Sequence, residues 1–180
     1  MKLLACPKCH QQLHLENKTL KCENNHCYDI SKRGYINLLL NPDKATNNPG
    51  DSKESLVARK AYLNKGYYDP ILNQVITCID EFKHQDDLSI LDLGCGEGYY
   101  TQGLKKHFEN SDIYGLDISK IAIDMATRYR KDVTWLVGNS KNIPILDHSL
   151  DFICALFTVV NQDELKKSIK RRWLYCSCYC

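Results

Sequence analysis

The sequence predicts an α/β fold with an open sheet of parallel β-α units, preceded by a small cysteine-rich module. Three observations predict it. From residue 55 onward, helical and strand-like patterns alternate, which is typical of β-α units. A glycine-rich turn at residues 94–98 joins an apolar run to a helical pattern. Four cysteines lie within the first 27 residues, in a segment too short to bury a sufficient core.

The boundaries of the predicted elements follow from hydrophobic periodicity. Helical spacing predicts helices at residues 55–65, 71–82, 97–108, 120–129 and 164–170. Short apolar runs predict buried strands at residues 89–93, 113–116, 133–137 and 150–157. Residues 41–54 are polar and contain two prolines, so they predict a linker or mobile loop. The chain therefore divides into a module at 1–40, a linker at 41–54 and a larger domain from 55 onward.

Composition and charge exclude several classes of protein. Of the 180 residues, 43% are hydrophobic and 26% are charged, which is an ordinary globular composition. The net charge of +2 indicates no general affinity for nucleic acid, although residues 31–66 hold seven basic and three acidic side chains. No apolar run approaches the roughly 18 residues of a membrane helix, and the start does not resemble a signal peptide. We expect a cytoplasmic protein, not associated with a membrane, with reduced cysteines.

The glycine turn, Gly-Cys-Gly-Glu-Gly at residues 94–98, suits a ligand site. Glycine lets the backbone approach a ligand closely, and the N–H groups at the start of the next helix face it. The spacing differs from the dinucleotide pattern G-x-G-x-x-G. Asp117 ends the next predicted strand about 20 residues downstream, where a ribose diol needs an acceptor, although it also suits a helix cap. Together, the glycine turn and Asp117 favour a nucleoside-binding site over a tight turn that binds no ligand.

Residues 92–98, Asp-Leu-Gly-Cys-Gly-Glu-Gly, resemble the first motif of class I S-adenosylmethionine (SAM) methyltransferases, and residues 143–153 resemble the approach to the fourth strand of that family. The resemblance implies a Rossmann-like class I methyltransferase sheet that binds SAM. It implies that the glycines pack on the methionine part, that the acid binds the ribose hydroxyls and, more weakly, that an asparagine flanks the adenine. These residues are Gly94, Gly96, Gly98, Asp117 and Asn139.

Residues 1–40 contain a group of metal-ligating side chains. Cys6 and Cys9 form a C-x-x-C pair, and Cys22 follows after twelve intervening residues. Either His26 or Cys27 completes four ligands for a tetrahedral zinc site. A structural zinc ion would stabilise a segment of this size. A redox C-x-x-C is the competing interpretation, but no thioredoxin-like β-α-β pattern surrounds it.

Several further runs narrow the resemblance. They include Cys-Pro-Lys-Cys-His-Gln at 6–11, Gly-Tyr-Ile-Asn-Leu-Leu at 34–39, Pro-Gly-Asp-Ser at 49–52, Arg59 and Gly-Tyr-Tyr at 66–68. Together with the glycine turn, they resemble bacterial 23S ribosomal RNA (guanine-N1)-methyltransferases of the RlmA type, also named the RrmA type. The resemblance extends over residues 5–168.

This family resemblance implies a ligand set for each region and an RNA partner. It favours His26 over Cys27, so that the zinc ligands are Cys6, Cys9, Cys22 and His26. It adds three contacts to SAM, namely Tyr68, Tyr100 and Thr101. The zinc-binding module with its basic stretch would recognise a hairpin of 23S ribosomal RNA, and a second copy of the chain is a candidate partner. We identify no general base, so the catalytic residues are unknown.

The predicted function is SAM-dependent methyl transfer to N1 of a guanine in 23S ribosomal RNA. The base must be presented edge-on and unstacked. Aromatic residues such as Tyr67, Tyr68 and Tyr99 suit stacking on it, although packing is the commoner role of such residues. The alternatives are a zinc-dependent RNA-binding protein with a vestigial SAM fold and a small-molecule methyltransferase. The zinc module argues against the last of these.

The tail at residues 169–180 departs from the family pattern, which continues with a glycine turn and a β-branched strand. Tyr-Cys-Ser-Cys-Tyr-Cys can be encoded TAT TGT AGT TGT TAT TGT, which read one base later gives Ile-Val-Val-Val-Ile. Arg-Arg-Trp, encoded AGG AGG TGG, shifts in the same way to Gly-Gly-Gly. We hypothesise a frameshift near Lys170 that leaves the SAM domain, residues 55–168, without its C-terminal strands. Weak or absent activity with retained SAM binding would follow. The alternative is a second zinc site formed by Cys176, Cys178 and Cys180.

Overall fold

The computed structural model describes residues 1–40, 50–170 and 175–178. In these ranges the helices are α1 (Lys53–Leu63), α2 (Asp69–Phe82), α3 (Tyr99–His107), α4 (Lys120–Ala126) and α5 (Gln162–Ser168). The strands are β1 (His14–Glu16), β2 (Thr19–Lys21), β3 (Cys27–Asp29), β4 (Ile36–Asn37), β5 (Ser89–Leu93), β6 (Asp112–Asp117), β7 (Thr134–Val137), β8 (Phe152–Leu156) and β9 (Tyr175–Cys178). None of the described helices is long and apolar enough to cross a membrane.

The strands form two sheets of different kinds. β1, β2 and β3 make a small antiparallel sheet, whereas the larger sheet has the order β4-β7-β6-β5-β8-β9 with every pair parallel. The predicted α/β fold with a parallel sheet is therefore confirmed. From β5 the chain proceeds to β6 and β7 on one side and returns to β8 on the other. This reversal creates a crevice outside the carboxyl end of β5, where ligands of open α/β sheets bind.

The two faces of the larger sheet are covered by different parts of the chain. On one face, apolar side chains of α2, α3 and α4, including Val75, Leu104 and Ile123, pack with Ile90 and Trp135. Along a strand, successive side chains point to opposite faces. The opposite face is accordingly lined by the neighbouring strand residues. It packs against residues of the N-terminal module and α5 that include Leu4, Leu13, Leu20 and Leu165.

The N-terminal module is joined to the larger sheet by backbone hydrogen bonds. The N–H of Ala5 donates to the carbonyl of Pro144 at 3.0 Å, and the N–H of Leu146 donates to that of Leu3 at 2.8 Å. β4 lies beside β7, with Ile36 opposite Leu136. β4 was not predicted from the sequence, because its apolar run is short and lies inside the region assigned to the zinc module.

The predicted helices and strands after residue 55 are present with shifted ends. α1 begins at Lys53, inside the predicted linker, because the Ser52 hydroxyl accepts from the N–H of Ser55 and caps the helix. The rest of that linker, residues 41–49, lies outside the described residues. In the tail, residues 175–178 form β9 beside β8. The alternative zinc site there needs Cys180, which lies outside the described residues.

Candidate cofactor and metal sites

The turns of the N-terminal module bring four ligand atoms together. The Sγ atoms of Cys6, Cys9 and Cys22 and Nδ1 of His26 all lie within 4.8 Å of one another. Nδ1 of His26 is 3.4 Å from each of the three sulfur atoms, and the sulfurs of Cys9 and Cys22 are 3.7 Å apart. Bond lengths of zinc to sulfur and nitrogen in a tetrahedron give separations of about 3.5–3.8 Å. The donor set therefore fits a structural zinc ion.

The surroundings of this cluster favour His26 over its neighbour as the fourth ligand. Cys27 is exposed, and its thiol donates to the backbone carbonyl of Asn25. Tyr28 supports the cluster from outside, since its hydroxyl lies 3.2 Å from the sulfur of Cys6 and can donate to a metal-bound thiolate. A hydrogen bond from the backbone of Gln11 lowers the pKa of Cys9 to about 6, which favours the thiolate form that metals bind.

The glycine turn after β5 is shaped by residues that have no room for a side chain. A Cβ on Gly94 would lie 2.6 Å from the Thr158 side chain, and one on Gly98 would lie 2.6 Å from the indole of Trp135. All three turn glycines have positive φ angles, of 75°, 55° and 87°. At Gly96 nothing lies within 4 Å of the added Cβ. The turn therefore packs tightly on both sides and faces open space at its middle glycine.

Asp117 lies at the carboxyl end of β6, beside this turn. Its Oδ2 accepts the N–H of Gly96 at 2.9 Å, and its Oδ1 accepts the N–H of Ser119 at 2.7 Å. Each carboxylate oxygen can accept a further hydrogen bond, so the two backbone donors orient the group and leave it able to receive a diol. Burial raises the pKa of Asp117.

Two cavities meet at Gly94. The larger, of about 370 Å³, lies between α1, the glycine turn, the start of α3 and the end of β8. The smaller, of about 100 Å³, is lined by Asp117, Asn139 and Ser140. The two cavities lie at the carboxyl ends of the central strands, which is the crevice that the strand order predicts. An elongated ligand that crosses Gly94 would occupy both.

Two buried carboxyl groups line the larger cavity. Asp92 accepts the hydroxyl of Thr101 at 2.5 Å, and burial raises the pKa of Asp92 to about 7. Burial also raises the pKa of Glu97, which is 3% exposed. Charged Arg59 partly opposes this rise. A cationic ligand would relieve the electrostatic cost of these groups, because an opposite charge favours the ionised carboxylate.

The residues predicted to contact SAM lie in three kinds of position. Tyr68 and Tyr100 line the larger cavity, and Asn139 lines the smaller one. Thr101 is fully buried behind the glycine turn, where its hydroxyl is bonded to Asp92. Thr101 therefore supports the wall of the larger cavity, whereas Tyr68, Tyr100 and Asn139 each line one of the two cavities.

Several residues of the cavity wall were not predicted as ligand contacts. Arg59, Tyr62 and Leu63 project from one side of α1, Leu156 ends β8, and Phe157 follows that strand directly. The i, i+3, i+4 spacing in α1 is a signal that could have found the first three, because such residues share one face of a helix. The position of Phe157 depends on the packing of β8 beside β5, which the sequence pattern does not show.

Comparisons with known proteins match the two parts of the chain that hold these candidate sites. Residues 4–45 match the family model described as "RlmA, N-terminal", a zinc ribbon, and residues 90–173 match the model described as "Methyltransferase domain". The first match contains the four metal-ligating side chains, and the second contains the glycine turn. The family models therefore support SAM and a structural zinc ion as the cofactors.

Two of the curated relatives match almost the whole of this chain. A 23S rRNA (guanine(748)-N(1))-methyltransferase of Streptomyces fradiae is 27% identical over 94% of this chain and 60% of its own length. The protein YxjB of Bacillus subtilis (strain 168) is 29% identical over 93% of this chain and 61% of its own length. The chain thus spans about three fifths of the relatives that it matches.

A solved structure confirms the fold of the larger part. The plantazolicin methyltransferase BpumL, in complex with a substrate analogue and SAH, has a TM-score of 0.53 and 21% sequence identity. The match covers 69% of this chain and 50% of that chain. Family models, relatives and fold agree on two similarities, an N-terminal part that resembles the RlmA zinc ribbon and a larger part that resembles a methyltransferase domain.

Proposed function

We propose that this chain binds zinc and SAM and serves methyl transfer from SAM to N1 of a guanine in 23S ribosomal RNA. One observation carries the proposal. A cavity of about 370 Å³ opens over the glycine turn, at the carboxyl ends of the strands of a sheet whose one face packs against a module that matches the RlmA N-terminal model. The rRNA methyltransferase of Streptomyces fradiae aligns with 94% of this chain, a length that includes both parts.

The zinc ion belongs to the N-terminal module in this proposal. Cys6, Cys9, Cys22 and His26 are its ligands, supported by their mutual distances. Zinc fixes the turns that carry Leu4, Leu13 and Leu20, three side chains packed against the larger sheet. The module, residues 1–40, is thereby held in one orientation beside the SAM domain, residues 55–168, and contributes an RNA-binding surface. An RNA hairpin seated on the module would present its guanine to the cavity.

SAM occupies the two cavities on either side of Gly94 in this proposal. Its sulfonium makes the methyl group electrophilic, which is the chemistry that the cofactor supplies. The chain aligns the reacting groups. Gly96 and Gly98 keep the turn close to the ligand, Asp117 accepts the ribose hydroxyls, and Asn139 borders the adenine. Tyr68 and Tyr100 enclose the other half, and Thr101 holds Asp92 in place behind it.

A guanine that reacts at N1 has to leave its base pair, because N1 lies on the pairing edge and carries a proton. Exposed aromatic side chains stand beside the larger cavity, among them Tyr62 at 50% exposure and Phe157 at 45%. Aromatic rings of this kind stabilise an unstacked base by stacking on it. We place the protein in the cytoplasm, where ribosomal RNA is modified in bacteria, and keep a homodimer as a prediction for sedimentation analysis.

The proposal is tested by incubating the chain with zinc, methyl-labelled SAM and 23S ribosomal RNA that lacks the native modification. A methyl group on N1 blocks base pairing, so reverse transcriptase should stop one nucleotide before the modified guanine. We expect SAM binding by calorimetry and a single stop.

Asp117→Asn is the matched control, because it retains the shape of the side chain and loses its charge. It should weaken SAM binding and remove the stop, whereas zinc content should not change. Absence of SAM binding in the unmodified chain would refute the proposal. Methyl transfer to a small molecule with no transfer to RNA would support the small-molecule alternative instead.

A further inference from the structure

We propose that Arg59 and Glu97 hold the amino-acid end of SAM, with the guanidinium of Arg59 on the carboxylate and the carboxylate of Glu97 on the ammonium group. The inference rests on the proposed function, because it requires SAM in the larger cavity. It assigns a role to two residues for which the sequence analysis predicted no ligand contact.

The orientation of the ligand follows from the smaller cavity. Asp117 and Asn139 line that space and offer acceptors to a ribose and a neighbouring purine. Gly94 borders both cavities. A nucleoside in the smaller cavity therefore directs the rest of SAM across Gly94 into the larger one, where its methionine part ends.

The charges of the larger cavity match a zwitterion. Among the described residues that line it, Arg59 is the cation, and Asp92 and Glu97 are the acids. An ammonium group and a carboxylate that leave water need opposite charges to offset their desolvation. Asp92 is already bonded to Thr101. Glu97 forms no ion pair within the described part of the chain, so it is the acid left to meet an ammonium group.

Arg59 is positioned by its neighbours before any ligand arrives. Its Nη2 lies 2.7 Å from Oδ2 of Asp51. α1, which carries Arg59, is anchored by the buried side chains of Leu56 and Leu63. A guanidinium has five N–H donors in a planar fork, so an ion pair with Asp51 leaves donors for a second carboxylate. The side chain is half exposed at the cavity mouth, which suits the terminal carboxylate of an elongated ligand.

The test compares four ligands that differ in their amino-acid end. SAM and S-adenosylhomocysteine carry both charged groups, decarboxylated SAM keeps the amine alone, and 5′-methylthioadenosine lacks both. Dissociation constants are measured by calorimetry for the zinc-loaded chain and for Arg59→Gln, Arg59→Lys and Glu97→Gln. Arg128→Gln is the matched control, because Arg128 is an exposed arginine paired with Asp124 on α4, outside the cavity.

Arg59→Gln should weaken SAM binding about tenfold or more and leave decarboxylated SAM unchanged, because a charged hydrogen bond contributes enough for one decade in affinity. The affinity of Arg59→Lys for SAM should lie between that of the unmodified chain and that of Arg59→Gln. Glu97→Gln should weaken SAM and decarboxylated SAM alike and spare 5′-methylthioadenosine. Arg128→Gln should change none of them.

Two results would overturn the inference while the proposed function survives. One is equal weakening of all four ligands by Arg59→Gln or Glu97→Gln, which indicates a structural role. The other is an unmodified chain that binds 5′-methylthioadenosine as tightly as S-adenosylhomocysteine, since the amino-acid end would then contribute nothing. If the unmodified chain binds none of the four ligands, the proposed function fails and the inference fails with it. Thermal unfolding of each variant shows whether the fold is retained.

Discussion

The two candidate sites of this chain are built in opposite ways. The metal cluster is made of side chains, four ligand atoms held within 4.8 Å by short turns around a small sheet. The SAM site is made by the absence of side chains at Gly94, Gly96 and Gly98, and its walls come from distant elements. Loss of one ligand atom should therefore disrupt the metal cluster, whereas the addition of a side chain to the glycine turn should disrupt the candidate SAM site.

Loss of a zinc ligand should have the largest effect. Cys22→Ser removes one of four ligands from a module that has little core of its own. Because Leu13 and Leu20 of that module share a core with Leu116 and Leu136 of the larger sheet, the damage should spread beyond the module. We expect zinc binding to be lost and the free energy of unfolding to fall by roughly 5 kcal/mol or more. The zinc content of the purified variant tests zinc binding, and urea unfolding gives the free energy of unfolding.

Cys27→Ser is the control for this prediction. Cys27 lies five residues further along the chain than the substituted cysteine, but its thiol is exposed and outside the cluster. The variant should keep one zinc ion per chain and its stability. Zinc loss in Cys27→Ser with zinc retained in Cys22→Ser would show that the module uses another ligand set.

Gain of a methyl group should have the next largest effect. Gly98→Ala forces a side chain into a positive φ and places its Cβ 2.6 Å from the buried indole of Trp135. Backbone strain and overpacking together cost about 4 kcal/mol. Gly34→Ala is the matched control. Gly34 also has a positive φ, but nothing lies within 4 Å of an added Cβ, so only the strain of about 1–2 kcal/mol remains.

Urea unfolding and SAM binding separate these two variants. Gly98→Ala should lose SAM affinity and keep its zinc, and Gly34→Ala should keep both. Equal destabilisation by the two substitutions would mean that the indole moves aside, and the tight packing of the glycine turn would then not be needed for its shape.

The difference between the sites also explains how much the sequence could predict. Cys6, Cys9 and Cys22 are close in the chain and chemically distinctive, so their spacing predicted a metal site with His26 or Cys27 as the fourth ligand. The family resemblance favoured His26, which is the side chain that the structure brings to the three cysteines. The glycine turn and the alternation of strands and helices predicted the parallel sheet, because local patterns determine them.

Hydrophobic periodicity did not predict the positions that depend on contacts between distant segments. β4 joins the larger sheet by pairing with β7, about 100 residues further along the chain. Phe157 reaches the cavity only because β8 lies beside β5. A two-residue strand and a single aromatic residue carry no periodicity, so no local signal distinguishes them from a loop.

A buried carboxyl group of the candidate SAM site should make the stability of the chain depend on pH. Burial raises the pKa of Asp92 to about 7, from an ordinary value near 4 in the unfolded chain. The folded chain thus holds a proton that the unfolded chain releases, so Asp92 lowers the stability as pH rises from about 4 to 7. Asp92→Asn keeps an acceptor for the Thr101 hydroxyl and does not ionise. Its stability relative to the unmodified chain should therefore rise with pH over that range, by about 3 kcal/mol.

The measurement is urea unfolding of both proteins at several pH values. Only the difference between the two is used, because protonation of the zinc ligands affects both equally. A difference that stays constant from pH 5 to pH 8 would mean that the carboxyl is solvated and its pKa ordinary.

The smallest effects should come from two side-chain polar contacts between the N-terminal module and the larger domain. Nδ2 of Asn142 donates to the carbonyl of Pro7 at 2.9 Å, a partly buried bond whose loss in Asn142→Ala costs about 1 kcal/mol. Nε of Arg33 lies 2.9 Å from Asp124, but half of the Arg33 side chain is exposed and Asp124 also pairs with Arg128. Arg33→Gln should therefore cost less than about 0.5 kcal/mol, and less still in high salt. If urea unfolding instead shows a larger loss of stability for Arg33→Gln than for Asn142→Ala, the module is held to the sheet by charge, and the shared apolar core is not what joins them.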